Sequence, residues 1–178
     1  AEINSLTTVQ VAALSTAQVS GLTATQLSAI STTNFAALAS AKLGALSATQ
    51  VGALSTTNVN SLSSTQIASL STAQVGGLNE IQLSTLSTTD FSGLTSARLA
   101  ALSAAQIGDM STTNLNSLST TQMTALSTTQ VRGLTVSQLP GLSTTNFGAL
   151  TSTQLHSLTT TQVQALTSAE ITLLIQHS

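Results

Sequence analysis

Apolar residues return along this chain at two fixed places in an eight-residue unit. Phased on Ser or Thr, 21 whole octads run from Thr7 to Leu174, with six residues before them and four after. Position 5 is Val, Leu, Ile, Met or Phe in every octad, and position 8 is Leu except at Ile30 and Met110. Position 1 is Ser or Thr except at Ala39 and Asn79, position 4 is Gln in thirteen octads, and position 7 is nearly always Ala, Gly or Ser. The octad Ser127 to Leu134, STTQVRGL, shows what such a unit specifies. Ser127 and Gln130 have the spacing of a capping box, in which the hydroxyl accepts the N3 amide and the Gln side chain reaches back to the N-cap amide. Leu126 and Val131 flank them at the two positions of a hydrophobic staple. The octad is therefore a helix-start signal restated every eight residues. Gly133, or a small residue in its place, is expected to let the chain turn out after the helix end.

One continuous helix is excluded. Eight residues rotate an ideal helix by about 80° beyond two full turns, so the apolar stripe would spiral around it and bury nowhere. Pro140 also requires short pieces, because proline inside a helix costs about 3 kcal/mol. A β-solenoid is the alternative, since Thr and Val favour strands. Against it, the two apolar positions lie three apart and strict alternation is missing.

A second period overlies the first. STTN or STTD begins at Ser31, Ser55, Ser87, Ser111 and Ser143, with spacings of 24, 32, 24 and 32, so the pattern recurs every 56 residues. Phe35, Phe91 and Phe147 obey it, as do Lys42 with Arg98 and the NSL triplets that start at Asn4, Asn60 and Asn116. Residues 31–86 and 87–142 agree at 34 of 56 positions, and 143–178 begins a third copy. Seven octads divide badly into coils of three but well into two turns of 3.5. The expected fold is an all-α solenoid of very short capped helices, one per octad, about 28 residues per turn, with one or three turns per seven octads as the alternatives. Six such turns, at roughly 8–10 Å between packed helices, make a rod on the order of 50–60 Å long. Residues 1–178 read as one repeat array, because a six-residue piece cannot nucleate a helix alone and needs its neighbours to bury its apolar face. The opening AEINSL falls inside a repeat, as in a piece of a longer protein.

Composition narrows the function. Only 4% of residues are charged and the net charge is −2, so there is no basic footprint for nucleic acid or anionic lipid. No stretch approaches the ~20 apolar residues of a membrane span. There is no Cys, and the two imidazoles, His156 and His177, do not recur between octads, so neither a metal or haem site nor a hydrolase triad is expected. The acids Glu2, Glu80, Asp90, Asp109 and Glu170 are scattered. No enzymatic activity and no cofactor are expected. The candidate interaction seam is Asn34, Asn58, Asp90, Asn114 and Asn146, which either forms a structural ladder or cap or binds a ligand. Lys42 and Arg98, which cannot complete a capping box, are candidates for a solubilising face or for contact with an acidic partner or glycan. The Thr residues at positions 2 and 3 are expected to face outward, and the Phe residues to lie in the core.

The run of L-[ST]-x-x-Q-[VIL]-x-x-L octads resembles repeat arrays in very large secreted bacterial proteins of the kind labelled adhesins or haem-utilisation proteins. The resemblance covers the whole chain and implies an extracellular or cell-surface location and a stalk built by repetition. It brings no site, and no recurrent His or Tyr supports haem. The expected role is a rod-like spacer. The alternative is a binding module whose Ser/Thr/Asn surface engages glycan, ice or further copies of itself, with end-to-end stacking as the expected mode of self-association.

Overall fold

The computed structural model describes residues 3–38 and 40–176, and among them there is no strand. Each octad forms one helical piece, from Thr8–Ala13 through Thr16–Ser20 and Ala24–Ala29 to Thr160–Gln164, mostly of four to six residues. Two exceptions have visible causes. The octad that holds Pro140 forms a single 3-10 turn, Leu139–Gly141, and the last piece, Ser168–Gln176, runs on for nine residues.

The capping logic holds in the Gln octads. In Thr128–Gly133 the Ser127 hydroxyl accepts the Gln130 amide at 3.1 Å, and Gln130 Oε1 accepts the Ser127 amide at 2.9 Å. The N-cap residue is extended (φ −70°, ψ 157°), which stops helix propagation backwards. The way out differs from the expected glycine turn. No described residue, glycine included, has positive φ. Where the small residue follows the helix it stays right-handed, as Gly77 does at φ −85° and ψ −9°, and elsewhere Leu at position 8 turns extended directly, as Leu134 does at φ −61° and ψ 132°. Extended Leu followed by an extended N-cap residue turns the chain into the next helix, and no left-handed residue is needed.

The helices stack three octads apart: Ala104–Gly108 lies on Thr128–Gly133, Thr88–Ser92 on Thr112–Ser117, and Ala48–Gly52 on Thr72–Gly76. Positions 5 and 8 together form one continuous core along the rod, from Ile3 to Leu166. Phe35, Phe91 and Phe147 are fully buried in it.

Glycine serves close approach. A Cβ on Gly77 would stand 2.3 Å from the Ala48 carbonyl oxygen, and one on Gly52 would stand 2.5 Å from that of Gly77. Fifty-six residues on, a Cβ on Gly133 would meet the Ala104 carbonyl oxygen at 2.1 Å and one on Gly108 that of Gly133 at 2.9 Å. The same pair of helices is pinched together once in each long period.

Candidate functional site

Position 4 carries two functions, only one of which is local. While Oε1 of Gln130 holds its own N-cap, its Nε2 donates to the carbonyls of Leu99 and Leu102 at 2.7 and 2.8 Å, 31 and 28 residues upstream. Gln82 does the same to Val51 and Leu54, Gln154 to Met123 and Leu126, and Gln162 to Val131 and Leu134. The step of 28 is one superhelical turn, or 3.5 octads. A primary amide suits this seat because it presents an acceptor and two donors on one planar group.

The candidate seam lies inside this system. Asn34 Nδ2 donates to Ile3 and Leu6, Asn58 to Ile30, Asn114 to Leu83 and Leu86, and Asn146 to Leu115. All four Asn and Asp90 are buried, so their polar atoms face the turn beneath and not solvent. One methylene shorter than Gln, Asn keeps the inter-turn bond but leaves the N-cap amide; none of these octads has a full capping box, and Asn58 Oδ1 is buried without a partner. In two of the five octads, those of Asn34 and Asn146, a second Asn replaces the missing cap. Asn4 Oδ1 accepts the Ser31 amide at 2.8 Å, and Asn116 Oδ1 accepts that of Ser143 at 2.7 Å, each from 27 residues upstream. Their Nδ2 groups donate to the carbonyls of Ala29 and Gly141. This gives the NSL triplets at Asn4 and Asn116 a physical meaning.

Lys42 and Arg98 occupy the same seat. Lys42 Nζ donates to the carbonyl of Ala12 and Arg98 Nε to that of Leu70, so both cations replace the glutamine donor across the turn. Two acids cannot do so as carboxylates. Asp90 accepts from the Ser87 hydroxyl at 2.6 Å and, at 3.4 Å, from Ser64. Glu170 Oε2 accepts the Thr167 amide at 2.7 Å, while its Oε1, where glutamine has its donor, is buried without a partner.

His156 is exposed, with Nδ1 2.6 Å from the Ser152 carbonyl; His177 and Glu2 lie outside the described residues. Asp109 follows the end of Ala104–Gly108, and Glu80 opens Glu80–Thr85. Among the described residues no group of three or more His, Cys, Asp or Glu could hold a metal, and no helix is long and apolar enough to cross a membrane. What the arrangement does chemically is to tie each turn to the one before it.

No curated protein and no solved structure matches the chain. A family model described as the ALTTAQ repeat matches residues 27–64, a stretch that holds Ala45-Leu46-Ser47-Ala48-Thr49-Gln50 and two of the five Asn octads, and over those residues the chain is similar to that repeat.

Proposed function

We propose that this chain is a rod-like spacer segment of a bacterial extracellular or cell-surface protein. The observation that supports the reading is the amide seam: polar side chains at position 4 are consumed between successive turns, over one continuous core. A structure in which each turn is bonded to the next holds a fixed length per repeat, which a spacer needs. The outward positions 2 and 3 are mostly Ser, Thr and Ala, a neutral hydroxyl-rich surface. Length is the test. Deleting one long period of seven whole octads, residues 87–142, removes two turns and is expected to shorten the rod by roughly 16–20 Å in small-angle scattering and leave it folded. Collapse or an unchanged length would refute the spacer. Location is tested by protease shaving of intact producing cells. The exposed Thr32–Thr33 and Thr88–Thr89 pairs favour a second reading, binding of glycan or ice; a glycan array and thermal hysteresis test it, and a blank in both removes it.

A further inference from the structure

At position 4 a positive group meets a carbonyl of the turn beneath: an amide N–H at Gln130, an ammonium at Lys42, a guanidinium N–H at Arg98. Asp90, in the interior of the rod, breaks this rule. Its side chain is 7% exposed, Lys42 and Arg98 are turned to other carbonyls, and Arg132 and His156 are exposed on other octads. Ser87 Oγ donates to Asp90 Oδ2 at 2.6 Å and holds that oxygen. The other oxygen, Oδ1, meets Ser64 Oγ at 3.4 Å, longer than the about 2.5–3.0 Å of an ordinary O–H···O bond. Leu62 lies 28 residues upstream of Asp90, as Leu86 does of Asn114. The Leu86 carbonyl accepts from Asn114 Nδ2 at 3.0 Å, whereas that of Leu62 accepts no bond from a described residue. Asn60 makes neither of the bonds that Asn4 and Asn116 make in the neighbouring long periods, which leaves its amide oxygen free beside the same octad. The joint is slightly open here, since Leu62 is 8% exposed and its counterpart Leu118 is 3% exposed.

A buried carboxylate needs a positive partner, and the polar groups placed around Asp90 Oδ1 offer oxygen. Carboxylate, main-chain carbonyl, hydroxyl and side-chain amide oxygens suit calcium, a hard cation that takes its remaining ligands from water and needs no cluster of acids. The spacing fits its size. Two ligands at right angles, each about 2.4 Å from the ion, stand about 3.4 Å apart, which matches the 3.4 Å between Asp90 Oδ1 and Ser64 Oγ. Around magnesium, at about 2.1 Å, they would stand about 3.0 Å apart. We propose that Asp90 Oδ1, the Leu62 carbonyl and the Ser64 hydroxyl bind a calcium ion, with Asn60 Oδ1 and water completing its shell. The Ser64 hydroxyl then turns its proton to solvent and presents a lone pair. The ion stands between carboxylate and carbonyl and closes the joint, as an N–H donor does elsewhere. Ser64 and Asn60 are exposed, so it enters from solvent without unfolding of the rod. A single carboxylate places the affinity on the order of 1 mM. The site goes beyond the spacer reading and stands or falls without it.

The 178-residue chain is stripped with a chelator, and calcium is added back under titration calorimetry and under hydrogen exchange read by mass spectrometry. About 10 mM calcium is expected to slow exchange at residues 62–64 and 87–90 roughly tenfold, as filling a site of about 1 mM affinity implies. Magnesium at equal ionic strength is expected to slow it by less than about twofold. Asp90→Asn supplies the donor that Asn114 has, so this variant is expected to fold, to exchange slowly without calcium and to show no further response to it. Ser64→Ala, at an exposed position, is expected to leave the calcium-free melt unchanged and to weaken calcium binding at least roughly threefold. No binding up to about 10 mM calcium, an equal effect of magnesium, a calcium response that survives Asp90→Asn, or binding that Ser64→Ala leaves untouched overturns the site.

Discussion

Replacing the Gln130 amide by a carboxylate changes one atom and separates the two functions of position 4. In Gln130→Glu one side-chain oxygen still accepts the Ser127 amide, and Ser127 Oγ still accepts that of residue 130, so the cap survives. The second atom now meets the carbonyls of Leu99 and Leu102 as oxygen on oxygen, at a site that is 3% exposed. The bond to Leu99, whose carbonyl keeps the Leu102 amide at 3.1 Å, contributes about 1 kcal/mol, and stranding the Leu102 carbonyl costs about 1–3 kcal/mol, so the expected loss is roughly 2–4 kcal/mol. Against the total of about 5–15 kcal/mol typical of a domain this is large, and at about 2–4 °C per kcal/mol for a chain of this size it lowers Tm by roughly 4–16 °C. The assay is a melt followed by far-UV circular dichroism, paired with urea unfolding. Gln10→Glu is the internal reference, with the same cap chemistry and no carbonyl beneath it, and is expected to change stability by less than about 0.5 kcal/mol. Equal effects at the two positions would refute the inter-turn function and leave capping as all that glutamine does.

The reciprocal change, Glu170→Gln, supplies a donor where Glu170 Oε1 is buried and unpartnered, and is expected to raise stability by about 1–2 kcal/mol in the same urea assay; no gain counts against the seat. Gly133→Ala drives a Cβ against the Ala104 carbonyl and is expected to cost about 1–3 kcal/mol, whereas Gly21→Ala, whose Cβ would meet nothing closer than 3.4 Å, is expected to be neutral or slightly stabilising; paired melts compare them. Leu102→Ala, in the middle of the core, is expected to cost at least ~2 kcal/mol, and a neutral result would contradict a core shared between octads.

Much of this fold was legible because its rules are local or periodic. Ser127 and Gln130 lie three residues apart, and the 24, 32 alternation of the Asn octads carries the 3.5-octad turn directly. What stayed hidden acts across a turn. In the sequence position 4 shows only half of a cap, and its second function points at carbonyls 28 residues away, with no side-chain signature at the receiving end. For the same reason Lys42 and Arg98 read as surface cations, although their shared property with Gln is an N–H donor at the end of a long stem. Asn4 looked like a marker without a cause, because the Ser31 amide it caps lies 27 residues downstream. The sequence places the glycines where the chain turns out of each helix, which the backbone achieves without positive φ; the need for a missing Cβ at Gly77 and Gly133 comes from helices that sequence order does not place side by side.

The pinched glycines and the buried phenylalanines bear on how such a rod deforms. A period of 56 residues is two whole turns of 28, so each feature returns to the same azimuth. Gly77 falls 42 residues after Phe35, one and a half turns and so diametrically opposite it, and Gly52 falls 17 residues after it, within about 40° of that line. One flank is therefore drawn together and the other propped by large rings, like the two metals of a thermostat strip. The rod should bow in a single plane, with the glycines along the inside of the arc, and should resist sideways bending more than flexing in that plane. One additional octad would rotate everything beyond it by 8/28 of a circle and turn the planar bow into a corkscrew, a difference that images of lengthened arrays would show at once.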